Sequence, residues 1–284
     1  MPFMFRGVAL LALPILFAAS GIGCVDISAG ESPYVDTVEK RFTVTGTPTL
    51  KLGTFDGSVE VGTWDRREVL VVIEKHAFDK EAADRMQVRA EQAGDVITVE
   101  VKEERDGRLH MHFGSHGARL IITVPTKAQI EATTGDGRVT VRDVEGDLRV
   151  HTGDGSIHLE HVTGAVDASS GDGSIDVEGT IGQLKARSGD GRLRVRALGS
   201  GPSADWTLAT GDGSVVLEVP DTFGAELDAT TGDWRVRVSG LSFSGETEGR
   251  RRSRAHGRIG NGGATITIRS GDGLITVRRA DGFS

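Results

Sequence analysis

Thr152-Gly153-Asp154-Gly155-Ser156-Ile157, TGDGSI, is one line of a ladder. Near copies run as TGDGRV from Thr134, SGDGSI from Ser170, SGDGRL from Ser188, TGDGSV from Thr210 and SGDGLI from Ser270, with a shortened TGDW from Thr231. The opening glycines are Gly135, Gly153, Gly171, Gly189, Gly211, Gly232 and Gly271, at intervals of 18, 18, 18, 22, 21 and 39 residues. A period of this length marks a stacked repeat.

The flanks repeat too. Five residues before each glycine stand Ile130, Leu148, Val166, Leu184, Trp206, Leu227 and Ile266, and four after it Val139, Ile157, Ile175, Leu193, Val215, Val236 and Ile275. The positions three before and six after are also apolar in every copy. Period-2 alternation on both sides of a turn predicts two strands per coil, each with one inward face. A single coil cannot bury that face, but coils stacked at the ~4.8 Å strand spacing share a continuous core. The expected fold is all-β: a parallel β-solenoid of roughly 18-residue coils over 129–279. Outward residues support the register, with Arg142 facing Glu160 and Arg196 between Glu178 and Glu218.

Before the ladder, residues 38–128 read as a β-rich section with strand alternation, one short helix opened by Asp79 as N-cap, and a hairpin turn at Gly94-Asp95. Leu50 to Val61 echoes the repeat, with Phe55 in place of the first glycine. Residues 242–263 are too irregular for a coil and read as a loop ejected from the stack.

The N-terminus has another character. Arg6, an apolar run from Val8 to Ala19 and small residues up to Cys24 have the layout of an export signal over residues 1–23. The run is shorter than the ~20 residues that span a bilayer. Cys24, the only cysteine, directly follows SGIG, and this resembles the lipobox of bacterial lipoproteins. That resemblance implies lipidation at Cys24 and attachment to a membrane, and the polar, aperiodic stretch over 24–37, with Gly and Pro, reads as a flexible tether. An ordinary cleavage after Ser20 or Gly21, giving a secreted or periplasmic chain, also satisfies the small-residue rule.

A chain of 284 residues with formal net charge -8 is not built as a nucleic-acid binder. Forty glycines and few aromatics indicate many turns. The aspartates Asp136, Asp154, Asp172, Asp190, Asp212, Asp233 and Asp272 form a column along one corner. Three readings are open. In the structural one, which is preferred, Gly-Asp-Gly supplies positive backbone angles and the carboxylate caps local amides. A calcium β-roll would use a denser ligand pattern. A carbohydrate-active β-helix enzyme would use a carboxylate pair, which should break the repeat rather than constitute it.

His110, His112 and His116, with His158 and His161, read as exposed strand and loop histidines, since no cysteine or paired acidic motif accompanies them. No nucleophile–histidine–acid set can be picked out, so no catalytic residue and no cofactor is assigned. Arg250, Arg251, Arg252, Arg254 and Arg258 against Glu246 and Glu248 make a local charge of +3. They fit an acidic or phosphate-rich envelope polymer, and equally a solvated loop that keeps a sheet edge soluble.

The run LIITVPTKAQIEATTGDGRVTV from Leu120, the GDG ladder, and IGNGGATITIRSGDGLITV from Ile259 resemble the bacterial putative-adhesin family, a domain of unknown function made of β-strand repeats. The likeness covers roughly Val38 to Arg279 and implies an envelope-associated, non-enzymatic β-solenoid; its long outward faces are expected to meet an envelope polymer or protein partner. A scaffold that self-associates end to end is the other structural reading. Asp233-Trp234 and the arginine segment depart from the repeat.

Overall fold

The computed structural model describes residues 34–104, 116–249 and 252–280. The export segment, Cys24, most of the tether, His110, His112, Arg250 and Arg251 lie outside the described residues. The described chain is all-β, with 21 strands joined in one sheet and a single short helix. In order they are β1 (Tyr34–Thr43), β2 (Thr49–Thr54), β3 (Val59–Trp64), β4 (Glu68–Ala77), α1 (Lys80–Asp84), β5 (Met86–Ala93), β6 (Val96–Glu103), β7 (Gly117–Pro125), β8 (Gln129–Thr134), β9 (Val139–Arg142), β10 (Leu148–Thr152) and β11 (Ile157–Ser170). There follow β12 (Ile175–Ser188), β13 (Leu193–Ala197), β14 (Trp206–Thr210), β15 (Val215–Val219), β16 (Ala225–Thr231), β17 (Val236–Ser239), β18 (Phe243–Glu248), β19 (Arg254–Ile259), β20 (Thr265–Ser270) and β21 (Ile275–Arg279).

Each GD corner separates a strand that enters it from a strand that leaves it, so the strands fall into two rows. The entering row runs β6, β2, β8, β10, the second half of β11, the second half of β12, β14, β20 and β16, all parallel. The leaving row runs β7, β3, β9, the first halves of β11 and β12, then β13, β15, β21 and β17, again parallel. Pairs such as Leu148 with Val166 and Ile157 with Ile175 are 18 residues apart. The β-solenoid-like stacking follows from this register.

The core lies between the rows. Every apolar position of the repeat is buried except Val238, which is half-buried. Each fully buried Val, Leu or Ile contributes about 1.5–3 kcal/mol, so four inward side chains per coil make the stack additive along its length. The outward charges pair as the register requires: Arg142 Nε donates to Glu160 at 2.7 Å, Arg196 reaches Glu178 at 3.7 Å and Glu218 at 3.2 Å.

Helix α1 begins where expected, with the Asp79 carboxylate accepting from the Ala82 N–H at 2.7 Å, and Gly94 (φ +61°) turns the antiparallel β5–β6 hairpin. Two expectations change. Residues 242–263 are not an ejected loop, because β18 and β19 form a hairpin that runs antiparallel along β16. The segment lacks the repeat's periodicity because an antiparallel edge strand needs few inward anchors, here Ala255 and Ile259. The tether ends earlier than residue 37, since β1 pairs with β4 from Tyr34 onward; as an edge strand its alternation is weak. The stack also departs from chain order. β6 and β7 lie outside β2 and β3, and β20 and β21 lie between β14/β15 and β16/β17.

Candidate functional site

Whether the repeat is a site turns on its corner aspartates. Asp136, Asp154, Asp172, Asp190, Asp212, Asp233 and Asp272 are all exposed at the corner. Among the described residues no three His, Cys, Asp or Glu side chains converge as a metal set, whereas calcium takes 6–8 oxygen ligands. The carboxylate that caps an amide of the next coil is Asp56, in the earlier echo of the repeat and not one of the seven, accepting from the Asp136 N–H at 3.3 Å.

The glycines serve a purpose other than the expected one. Of the corner glycines only Gly57 has a positive φ, so Gly135 to Gly273 are not chosen for a left-handed backbone. They are glycine because the coils touch there. A Cβ on Gly155 would collide with the carbonyl of Gly137, and the same holds from coil to coil up to Gly273 against Gly213. The Gly171 N–H donates to the Gly153 carbonyl, and Gly189 to Gly171, in a close-packed backbone column.

The hydroxyl that opens each corner was not singled out in the sequence, though Thr or Ser precedes every GD pair. Ser170 Oγ donates to the Gly155 carbonyl one coil back at 2.8 Å and accepts the Gly173 N–H at 3.0 Å. Thr152, Ser188 and Ser270 make the same pair of bonds. A buried hydroxyl that both donates and accepts leaves no orphan at the turn. These bonds give the corner hydroxyls a structural role between coils.

The histidines are dispersed. His158 lies 3.3 Å from Asp176, and His161 lies 3.4 Å from Asp143 and 3.5 Å from Glu178. His116 is partly buried rather than exposed, 2.7 Å from Glu103 and packed beside Phe55 and Phe78. One carboxylate stands out for its partners. Glu218 is buried, and Arg194, Arg196 and Arg278 all donate to it, at 3.1, 3.2 and 2.5 Å. Burial alone pushes its carboxyl up, but the bonds from Arg278, Arg194 and Arg196 outweigh this and hold it below the usual carboxylate range.

The arginine segment is divided by the fold. Arg258 Nε donates to Glu226 at 2.9 Å, and Arg254 lies beside Asp228 on the face of β19. Arg252 instead lines a groove of about 430 Å³ with Arg235 and Arg237 of the last coil. Those two were missed by sequence reasoning, although their spacing of two puts them on one face of a strand directly after the Asp233-Trp234 break. Trp234 itself is 55% exposed.

The family profile for Toastrack DUF4097 matches residues 129–278. The chain belongs to the Toastrack DUF4097 family. This agrees with the resemblance carried by the GDG ladder. The Toastrack region contains all seven corner aspartates, the Glu218 cluster and the groove at Arg235. Among solved structures the chain is similar to a putative cell adhesion protein from Clostridium sporogenes ATCC 15579, at 13% identity over 86% of this chain and 100% of that one, with a TM-score of 0.41. It is also similar to a putative adhesin from Bacteroides fragilis NCTC 9343, at 11% identity over 88% and 100%, TM-score 0.36. A third is a putative lipid binding protein from Parabacteroides distasonis ATCC 8503, at 11% identity over 87% and 97%, TM-score 0.38. No curated protein matches the chain.

Proposed function

We propose that this Toastrack chain is a non-enzymatic cell-envelope module, exported and held to a membrane through a lipid on Cys24, which presents its stacked surface to an envelope polymer or protein. The 18-residue register supports reading its middle as a parallel β-solenoid, a shape that offers long ordered faces. The observation that carries the reading is the contrast between corner and end. The repeated carboxylates are spread singly along an exposed corner, while cationic side chains gather where the repeat breaks. The calcium and hydrolase readings have no such convergence of groups behind them.

The test is cosedimentation of the full chain with isolated envelope fractions, with and without EDTA. Binding that survives EDTA supports a metal-free surface, and binding or folding lost in EDTA contradicts it. Cys24→Ser is expected to move the chain from the membrane to the soluble fraction; an unchanged membrane pool would argue against the lipid. End-to-end self-association is favoured by one observation: among the described residues β17 is paired on one side only, and so is β1, which extends the leaving row beyond β7 through β4. Sedimentation velocity decides it.

A further inference from the structure

At the C-terminal end one row is closed and the other is open. β16, the last of the entering row, is covered by β19 and then β18. β17, the last of the leaving row, pairs among the described residues with β21 alone. The Ile275 N–H donates to the Arg235 carbonyl. In a parallel ladder this turns the backbone groups of Arg235 and Arg237 toward β21 and those of Val236 and Val238 toward the open side.

That open side is cationic. The groove beside it is lined by Arg235, Val236, Arg237, Val238, Phe243 and Arg252. The three arginines are exposed and their side chains have no hydrogen-bond or ion-pair partner among the described residues. Further into the stack, Arg278 of β21 and Arg194 and Arg196 of β13 close on Glu218 of β15 instead. The charge of the surroundings is reversed as well: residues 225–280 hold ten arginines, no lysine and six carboxylates, whereas 129–224 hold eight basic residues and sixteen carboxylates.

We infer that the open edge of β17 is a binding site for an extended acidic peptide segment of a partner protein, which adds as a further strand with its carboxylates toward Arg235, Arg237 and Arg252. A strand edge offers donors and acceptors at peptide spacing, and a peptide satisfies them while its alternate side chains reach one face. Arg235 and Arg237 stand at that same alternate spacing, and guanidinium groups match carboxylates bidentately. The same charges turn away a basic edge, including that of a second copy. The inference rests on the binding-module reading for there being a partner.

The test is fluorescence anisotropy of the full chain with a labelled ten-residue peptide of alternating Glu and Val, and with polyphosphate as a second probe. The acidic peptide is expected to bind, about tenfold more weakly after Arg235→Ser and about tenfold more weakly again after Arg237→Ser. Val238→Pro removes one outward N–H and leaves every arginine in place, so it weakens the peptide and spares polyphosphate. If that variant unfolds the end of the stack, slowed amide exchange in β17 on adding peptide to the parent replaces it. Peptide binding indifferent to the arginines would overturn the inference. So would polyphosphate displacing the peptide with Val238→Pro affecting neither, or a dimer formed through this edge that the peptide does not dissociate. No peptide binding with envelope cosedimentation retained breaks this inference alone. Loss of both breaks the binding-module reading.

Discussion

From β8 to β15, successive coils of the chain are successive coils in space. At the C-terminal end they are not, for the last coil, β20–β21, sits inside the one that precedes it in sequence. The corner words account for the difference. A coil that opens Ser270-Gly271-Asp272-Gly273 has glycine at both contact points and a hydroxyl ahead of them, so it fits closely against Gly211 and Gly213. The coil at Thr231 carries Trp234 where every other ladder copy has its second glycine, and it ends the stack. Periodicity therefore reports how coils fit, while the connections and the exceptional residues decide their order.

The comparison breaks most severely if the intercalated coil is removed. Deleting residues 264–284 strips Ile266, Ile268, Ile275 and Val277 from the core and separates β14/β15 from β16/β17. At about 1.5–3 kcal/mol per side chain the loss is at least about 6 kcal/mol, read by urea denaturation. An equal loss on deleting the hairpin over 243–259 would show that order has no special weight. Gly155→Ala forces a Cβ into the Gly137 carbonyl and should cost about 3 kcal/mol, whereas Gly62→Ala, with no atom within 4 Å, stays within about 0.5 kcal/mol. Equal melting temperatures for the two would remove the contact argument.

Much of the middle was legible because one physical constraint, inward apolar side chains at period 2, acts on every coil. Leu148 over Val166 and Arg142 beside Glu160 follow from spacing alone. The glycines were legible as a corner but not as a contact, since a close approach between coils leaves no trace in one coil's own backbone preferences. The ends were harder. β18 and β19 pair antiparallel with mostly exposed residues, and Arg235, Arg237 and Arg252 are brought together by stacking, not by nearness in sequence.

Two smaller effects sharpen the division between repeat and exception. Glu218→Gln should cost about 2 kcal/mol at neutral pH, a figure tempered because Arg194 and Arg278 are 47% and 45% exposed. The folded carboxyl titrates below its ordinary 4.5, so its contribution is complete above that value and is lost as the pH falls through the folded value. Melting curves of parent and variant should therefore converge in acid; a constant gap would contradict the arginine cluster's role. Asp154→Asn should change stability by less than about 0.5 kcal/mol, with the same melting temperature in EDTA and in calcium. A calcium-dependent rise for the parent alone would restore the metal reading of the corner.

Hydrogen exchange read by mass spectrometry tests the stacking order most directly. With β20 and β21 enclosed on both sides, their amides over 265–270 and 275–279 are predicted to exchange as slowly as those of β13 and β15, and more slowly than those of β17. If instead the segment nearest the C-terminus exchanges first and β16–β17 is protected ahead of it, the coils stack in chain order and the account of the open, arginine-lined edge is wrong.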